Sequence, residues 1–319
     1  MATPDSSTAL DGVQPDPDMW FEDGNVIVIA QQTAFRFHRG ALSRHSEAFR
    51  GLFSVPQPTS SGSVQTMDGC PVIHVTDTAY DFRHLVRAVY DGASVFSGLE
   101  PMEFGALASI VRMSHKYQVD AILDEALRRL NTVYTSDFAT WDENEGGSTA
   151  LITVRVADGI EAVNLFLLVG RKDMLVAAFY MCGLLHVDNL IDGIPRADGT
   201  LERLSTYDLQ RCLTAQMALV KHDARILAEL LHTDAPADCT CPSKDFRRTL
   251  LDARHADVVS ALHDILDPLP IHSTYGVETI DDLEAEGLCD TCGEALRAHH
   301  TALRRDLWGR LPAFFRLLE

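Results

Sequence analysis

Five consecutive apolar residues, Val26-Ile27-Val28-Ile29-Ala30, follow a polar N-terminal stretch. A β-branched run of that length predicts a strand buried on both faces. After Gln31-Gln32, the expected hairpin tip, the pattern changes to alternation. Phe35 and Phe37 fall on one face, Arg36 and His38 on the other, which predicts a half-buried partner strand. Asp23-Gly24-Asn25 supplies turn chemistry ahead of the pair. Residues 39–53 then take helical spacing, with Leu42, Phe49, Leu52 and Phe53 as apolar anchors and Ser43 as the candidate cap of a second turn. The stretch 55–68, rich in Pro, Ser, Gly and Gln, reads as a surface loop.

Pro71-Val72-Ile73-His74-Val75 reads as a third short strand. Asp77 or Thr78 is placed to cap a helix carrying Phe82, Leu85, Val86, Val89 and Tyr90 and closed by Asp91-Gly92. Helices are predicted over 102–117 and from Asp120, the second with Arg128-Arg129 near its negative end. The acidic, Gly-containing segment 142–149 reads as a boundary between domains. Beyond it the pattern is helical almost throughout. Dense apolar blocks cover 160–169 and 174–185, and a long amphipathic run started by Ser205 covers 204–232. Further helices are expected over 246–266, 283–296 and 299–307, before a closing stretch from Trp308. No repeat of fixed period is present.

Composition narrows the function. The chain of 319 residues has a formal net charge of -19, which repels a phosphate backbone and argues against direct nucleic-acid binding. Only four lysines (Lys116, Lys172, Lys221, Lys244) stand beside 23 arginines, so few acceptors exist for modification of the chain itself. Arg247-Arg248 and Arg304-Arg305 are isolated pairs, read as surface helix charges and not as a nuclear-import cluster. No apolar run is long enough to span a membrane. The first 17 residues lack the basic start and apolar core of a leader, so the chain reads as intracellular, in cytoplasm or nucleus. No Gly-rich phosphate loop and no pair of catalytic carboxylates is visible.

Site-like chemistry is confined to four cysteines in the second half, Cys239-Thr240-Cys241 and Cys289-Asp290-Thr291-Cys292. Two close pairs on separate segments suit a closed tetrahedral zinc site with a folding role. The Cys-x-x-Cys half fits best, because helix N-terminal amides stabilise thiolate charge. The Cys-x-Cys half is the less common spacing, and His232, His299 or His300 could replace a cysteine. Free thiols, one or two disulfides formed only on oxidation, and a redox pair are the competing readings. Cys70, Cys182 and Cys212 read as packing residues.

The order strand, strand, helix, strand, helix, helix, helix resembles the BTB/POZ domain. The resemblance rests on Asp23-Gly24-Asn25, on Phe37-His38 ahead of Leu42-Ser43, and on the helical hairpin from Ser46 to its end at Phe53. Leu85, Tyr90 and Gly92, then Lys116-Tyr117-Gln118-Val119 with Ala126 and Leu130, complete it. With Trp308, Leu311, Pro312 and Phe315 closing a helical second half, the chain is similar to fungal, chiefly basidiomycete, BTB-domain proteins. The resemblance implies an α+β BTB/POZ domain, a three-stranded sheet with helices, over 19–140. Around it are expected a disordered tail over 1–18, an acidic linker over 141–150 and an all-α domain over 151–319.

It further implies a non-catalytic interaction protein, partnered by itself or by a cullin-type ubiquitin ligase scaffold, or a transcriptional or chromatin cofactor acting by recruitment. The family's cullin-binding surface corresponds here to residues 91–102, with Val95, Phe96, Leu99 and Glu100 as candidate contacts. Pro15 and Pro17 imply that the N-terminal element many BTB proteins swap on dimerisation is missing. A zinc or thiol enzyme in the second half is the remaining alternative. It would need an open metal position or an activated nucleophile, and the His222-Asp223 and His263-Asp264 neighbours point to different helix faces.

Overall fold

The computed structural model describes residues 11–54, 65–97, 100–144, 147–230, 232–262 and 274–317. The chain divides into two compact units, and the division falls elsewhere than at an acidic linker. Residues 1–131, 149–153 and 195–200 form the first unit, and 132–148, 154–194 and 201–319 the second.

The first unit is built on a sheet in the order β1-β3-β2-β5-β4. The three strands read from the pattern are its centre: β2 (Val26–Ala30), β3 (Thr33–Phe37) and β5 (Cys70–Val75). β2 pairs antiparallel with β3, Val28 opposite Phe35, and parallel with β5, Val28 opposite Ile73. Every residue of β2 is buried, as a run without alternation requires. Val26, Val28, Phe35 and Phe37 face a core with Phe49, Phe82, Leu85 and Tyr117. Ile27, Ile29, Ala34 and Val72 face a smaller cluster under Val13, Trp20 and Met67. Each fully buried ring contributes about 1.5–3 kcal/mol.

The flanking strands were not legible in the pattern. β4 (Thr66–Met67) forms a short hairpin with β5. β1 (Gln14–Trp20) pairs parallel with β3, with Gln14 opposite Thr33 and Trp20 opposite Arg36. The expected disordered tail is therefore corrected from residue 14 on. Proline is tolerated because β1 is an edge strand. Asp16 fixes it: fully buried, its carboxylate accepts the N–H groups of Asp18 and Met19 at 3.1 and 3.0 Å and Arg83 Nε at 2.6 Å.

The expected helix over 39–53 is two helices, α1 (Arg39–His45) and α2 (Glu47–Ser54). The break and the cap belong to Ser46, not Ser43. Its buried hydroxyl accepts the Phe49 N–H at 3.0 Å and donates to the Tyr117 carbonyl. α3 (Ala79–Asp91) is capped by Thr78, whose hydroxyl accepts from Asp81 N, and stops at Gly92 with φ +54°. A one-turn helix α4 (Ala93–Phe96) precedes β6 (Met102–Glu103), α5 (Phe104–Tyr117) and α6 (Asp120–Leu130). Asp77 is free for another task and takes Lys116 Nζ at 2.5 Å and the Tyr117 hydroxyl at 2.6 Å.

Two returning segments complete this unit. β7 (Ile152–Thr153) pairs parallel with β6. Arg196 donates to both oxygens of the buried Asp81 carboxylate at 2.8 Å, alongside Ser109 Oγ at 2.6 Å and Arg112 at 3.3 Å.

The second unit is helical: α7 (Phe138–Glu143), α8 (Gly159–Leu168), α9 (Leu175–Gly183), α10 (Val187–Asp192), α11 (Thr206–Leu230), α12 (Lys244–Leu262), α13 (Thr274–Ala285) and α14 (Asp290–Phe314). Ser205 caps α11 through the Asp208 N–H at 3.1 Å. The expected helices over 283–296 and 299–307 are corrected. Gly287, at φ +107°, ends α13, and α14 runs unbroken through both spans, Pro312 included.

This unit has two separate cores. The first gathers the tail: Trp308 packs on Trp141 at 4.4 Å and on Tyr180 at 6.0 Å, Phe315 packs on Phe179 at 5.5 Å, and Trp308 Nε1 donates to the Ser136 carbonyl at 2.9 Å. The second lies at the C-terminal end of α11 and the N-terminal end of α14, where, among the described residues, Leu230, Leu251, Ile280, Leu283, Leu288, Cys292 and Leu296 meet.

Candidate functional site

The four cysteines of the two close pairs converge on this second core. Cys239 and Cys241 lie in the loop between α11 and α12. Cys289 is the residue before α14, and Cys292 lies in its first turn. One ligand atom from each falls within 4.8 Å of all the others. Cys239 Sγ stands 3.3 Å from Cys292 Sγ and 3.9 Å from Cys289 Sγ, and Cys241 Sγ is 3.9 Å from Cys292 Sγ.

These lengths separate two chemistries. A disulfide holds its sulfurs at about 2.05 Å, and all seven cysteines are free. Four sulfurs at about 2.3 Å from one zinc ion would stand about 3.8 Å apart; the two separations of 3.9 Å match this and the one of 3.3 Å is shorter.

The local backbone favours thiolate. Cys241 Sγ accepts the Cys289 N–H at 3.4 Å. Burial works against ionisation of Cys289, but the N–H groups of Cys292 and Thr240, together with the Cys241 and Thr240 side chains, outweigh it and bring that thiol down to about 6. Burial, with the neighbouring Cys239 and Cys289 thiols, pushes Cys292 up to about 12, and Cys241 is raised as well, first by burial. A cluster with one readily ionised member and reluctant neighbours can hold several thiolates together only when a cation neutralises them.

No histidine joins the set among the described residues. His300 is buried, and burial with His299 pushes it down to about 4. Cys182 and Cys212, read as packing residues, are both buried, the Cys182 thiol raised by burial first and then by Cys212, and Cys70 donates to the Gly24 carbonyl at 3.2 Å. The Arg247-Arg248 reading is half corrected. Arg248 is exposed and pairs with Asp252 at 3.3 Å, whereas Arg247 is buried and donates to Thr233 and Asp234.

The candidate partner contacts fare unevenly. Leu99 lies outside the described residues. Glu100 is exposed and Val95 half-buried. Phe96, expected on the surface, is buried at 8% exposure because the Arg129 guanidinium lies over its ring at 5.2 Å and donates to its carbonyl. Beside it opens an apolar cleft of about 520 Å³ lined by Ala88, Val89, Phe96 and Ile122, with His45 and Arg129 among its polar groups. The cleft was missed because the apolar positions of α3 and α6 read as ordinary core stripe. Helical spacing does not tell a filled neighbour from an open one.

The fold of the first unit and this cleft define an interaction module. Residues 22–133 match the BTB/POZ domain, and the chain therefore carries such a domain at its N-terminal end, followed by a helical region. BTB domains mediate protein–protein interaction and dimerisation and are generally non-catalytic. A search of curated proteins finds no match to the chain. Among the described residues no helix is long and apolar enough to cross a membrane.

Proposed function

We propose that this protein is an adaptor of the fungal BTB type, in which the BTB domain docks a shared scaffold and the helical region engages a second protein. The scaffold favoured is of the cullin type. The observation carrying this reading is the open cleft between α3 and α6, an apolar concavity next to residues 91–102, the segment that family resemblance assigns to that contact. Concave apolar surface with a few polar groups is what an anchoring side chain fills. The helical region would owe part of its fold to one zinc ion on Cys239, Cys241, Cys289 and Cys292, with no open position for catalysis. Reduced thiols suit an intracellular location, in cytoplasm or nucleus.

The test is co-purification of the full chain with a cullin N-terminal domain, repeated with Ile122→Asp in the cleft. Binding is expected for the parent and a loss of at least 10-fold for the variant. Failure of the parent to bind, with capture of a corepressor fragment instead, would move the assignment to transcriptional recruitment.

A further inference from the structure

The four sulfurs are close enough to bond to one another as well as to a metal. Cys239 Sγ lies 3.3 Å from Cys292 Sγ and 3.9 Å from Cys289 Sγ, and Cys241 Sγ lies 3.9 Å from Cys292 Sγ. Each of these separations crosses from the α11–α12 loop to the start of α14. At the shortest of them, the sulfurs need to approach by about 1.3 Å to reach disulfide length. Cys239, Cys241 and Cys289 are half-buried and open to a small solute, whereas Cys292 is buried. Cys239 and Cys292 are therefore an accessible sulfur with a sheltered one against it, the arrangement of an attacked thiol beside a resolving thiol.

The sequence spacing suggests a different bond. A Cys-x-x-Cys pair oxidises within itself, here Cys289 to Cys292, which would leave the loop untied from α14 once a metal had gone. A bond from Cys239 to Cys292 instead joins the same two segments that a shared metal would join.

We infer that the cluster is a redox-responsive crosslink, in which hydrogen peroxide exchanges the zinc tie for a disulfide between Cys239 and Cys292. This rests on the zinc reading and goes beyond it, because a purely structural zinc site loses its tie when its ligands are oxidised. The Cys239 thiolate attacks the O–O bond of the peroxide, forming a sulfenic acid, and the hydroxide released takes a proton to become water. The Cys292 thiolate then displaces the sulfenic hydroxyl, which leaves as a second water on gaining a proton. Two thiolates give up two electrons, one peroxide accepts them, and two protons are consumed. Zinc, left with two of its four ligands, is released. The metal leaves while the α11–α12 loop stays attached to α14.

The experiment uses the full chain, purified with reductant, freed of it, and treated with one equivalent of hydrogen peroxide. Zinc content is measured before the oxidant is added. Oxidation is expected to release about one zinc per chain to a chromophoric indicator and to lower the mass by two hydrogens. Peptide mapping with fragmentation should place the bond between Cys239 and Cys292. Amide-exchange protection over residues 274–300 should persist in the oxidised chain, and a dithiol with zinc should restore the starting state. A bond inside either close pair overturns the inference, as does sulfinic acid in place of a disulfide. Loss of that protection on oxidation, or zinc retained under a large excess of peroxide, overturns it equally. A chain that carries no zinc before oxidation overturns the underlying zinc reading, a result obtained before the oxidant is added and so distinct from the others.

Discussion

The BTB core and the cysteine-bearing core solve the same problem with different means. In the first, Phe35, Phe37, Phe49 and Phe82 are fully buried against a sheet whose central strand is covered on both faces. In the second, the buried residues among those described are six aliphatic side chains and one thiol, with no aromatic ring among them. Aliphatic packing without rings buries less area per residue, which leaves less margin once chain ordering is counted. The four cysteines bring the α11–α12 loop together with the start of α14, and on the proposed zinc reading the ion would supply the hold that area does not. On that reading one region is held by area and the other by a point.

The sharpest way to break that contrast is to remove the point. Structural zinc in small domains contributes about 10–16 kcal/mol at neutral pH, as much as the whole net stability of an ordinary domain. Elemental analysis should find one zinc per chain. Chelation, or Cys292→Ser, should abolish amide-exchange protection over residues 232–262 and 274–300 while the strands β2, β3 and β5 stay protected. Protection that survives complete chelation would show that the aliphatic core suffices, and the contrast would fall.

The converse experiment attacks area. Phe82 packs against Phe35 at 5.2 Å, Phe37 at 6.2 Å, Tyr117 at 6.3 Å and Phe49 at 6.4 Å, so its truncation opens a cavity with no mobile neighbour to fill it. Phe82→Ala is expected to cost the BTB unit about 3–5 kcal/mol, read from denaturant unfolding of the zinc-loaded chain. A cost under 1 kcal/mol would mean that the aromatic cluster is not what holds the sheet.

The two regions were also unequally legible. The central strands could be read because β2 is a continuous apolar run and β3 alternates, and both patterns are local. β1 could not, since Pro15 and Pro17 argue against a strand while its fixing contact, Asp16 to Arg83, joins residues far apart in sequence. For the same reason the cap of α2 was assigned to Ser43, when Ser46 holds that place by reaching the Tyr117 carbonyl. The four cysteines were legible as two close pairs, because spacing is part of ligand chemistry. Arg247 was not. An Arg-Arg pair on a helix reads as surface charge, and only the fold shows that one member turns inward.

Acid should separate the regions by a smaller margin, and the sign follows from two histidines. His84 in the first unit is pushed down to about 4, by burial first and then by Arg87, with Asp81 opposing and Arg83 assisting. His300 in the second is pushed to about 4 by burial and His299. Each is neutral when folded and takes a proton near pH 6.5 when unfolded. Between about 4 and 6.5 the unfolded chain binds more protons, so stability rises with pH across that window and is fully present above it. Both regions therefore weaken as pH falls from 6.5 toward 4. The cysteine-bearing region carries a second liability, since protonation of its thiolates competes with zinc over the same range. Its exchange protection should fail at a higher pH than that of the BTB sheet, with zinc released at the same midpoint. His84→Gln should flatten the dependence of the sheet and leave the zinc-release midpoint where it was. Coincident transitions in the two regions would show that one process, and not two means of support, governs the acid response.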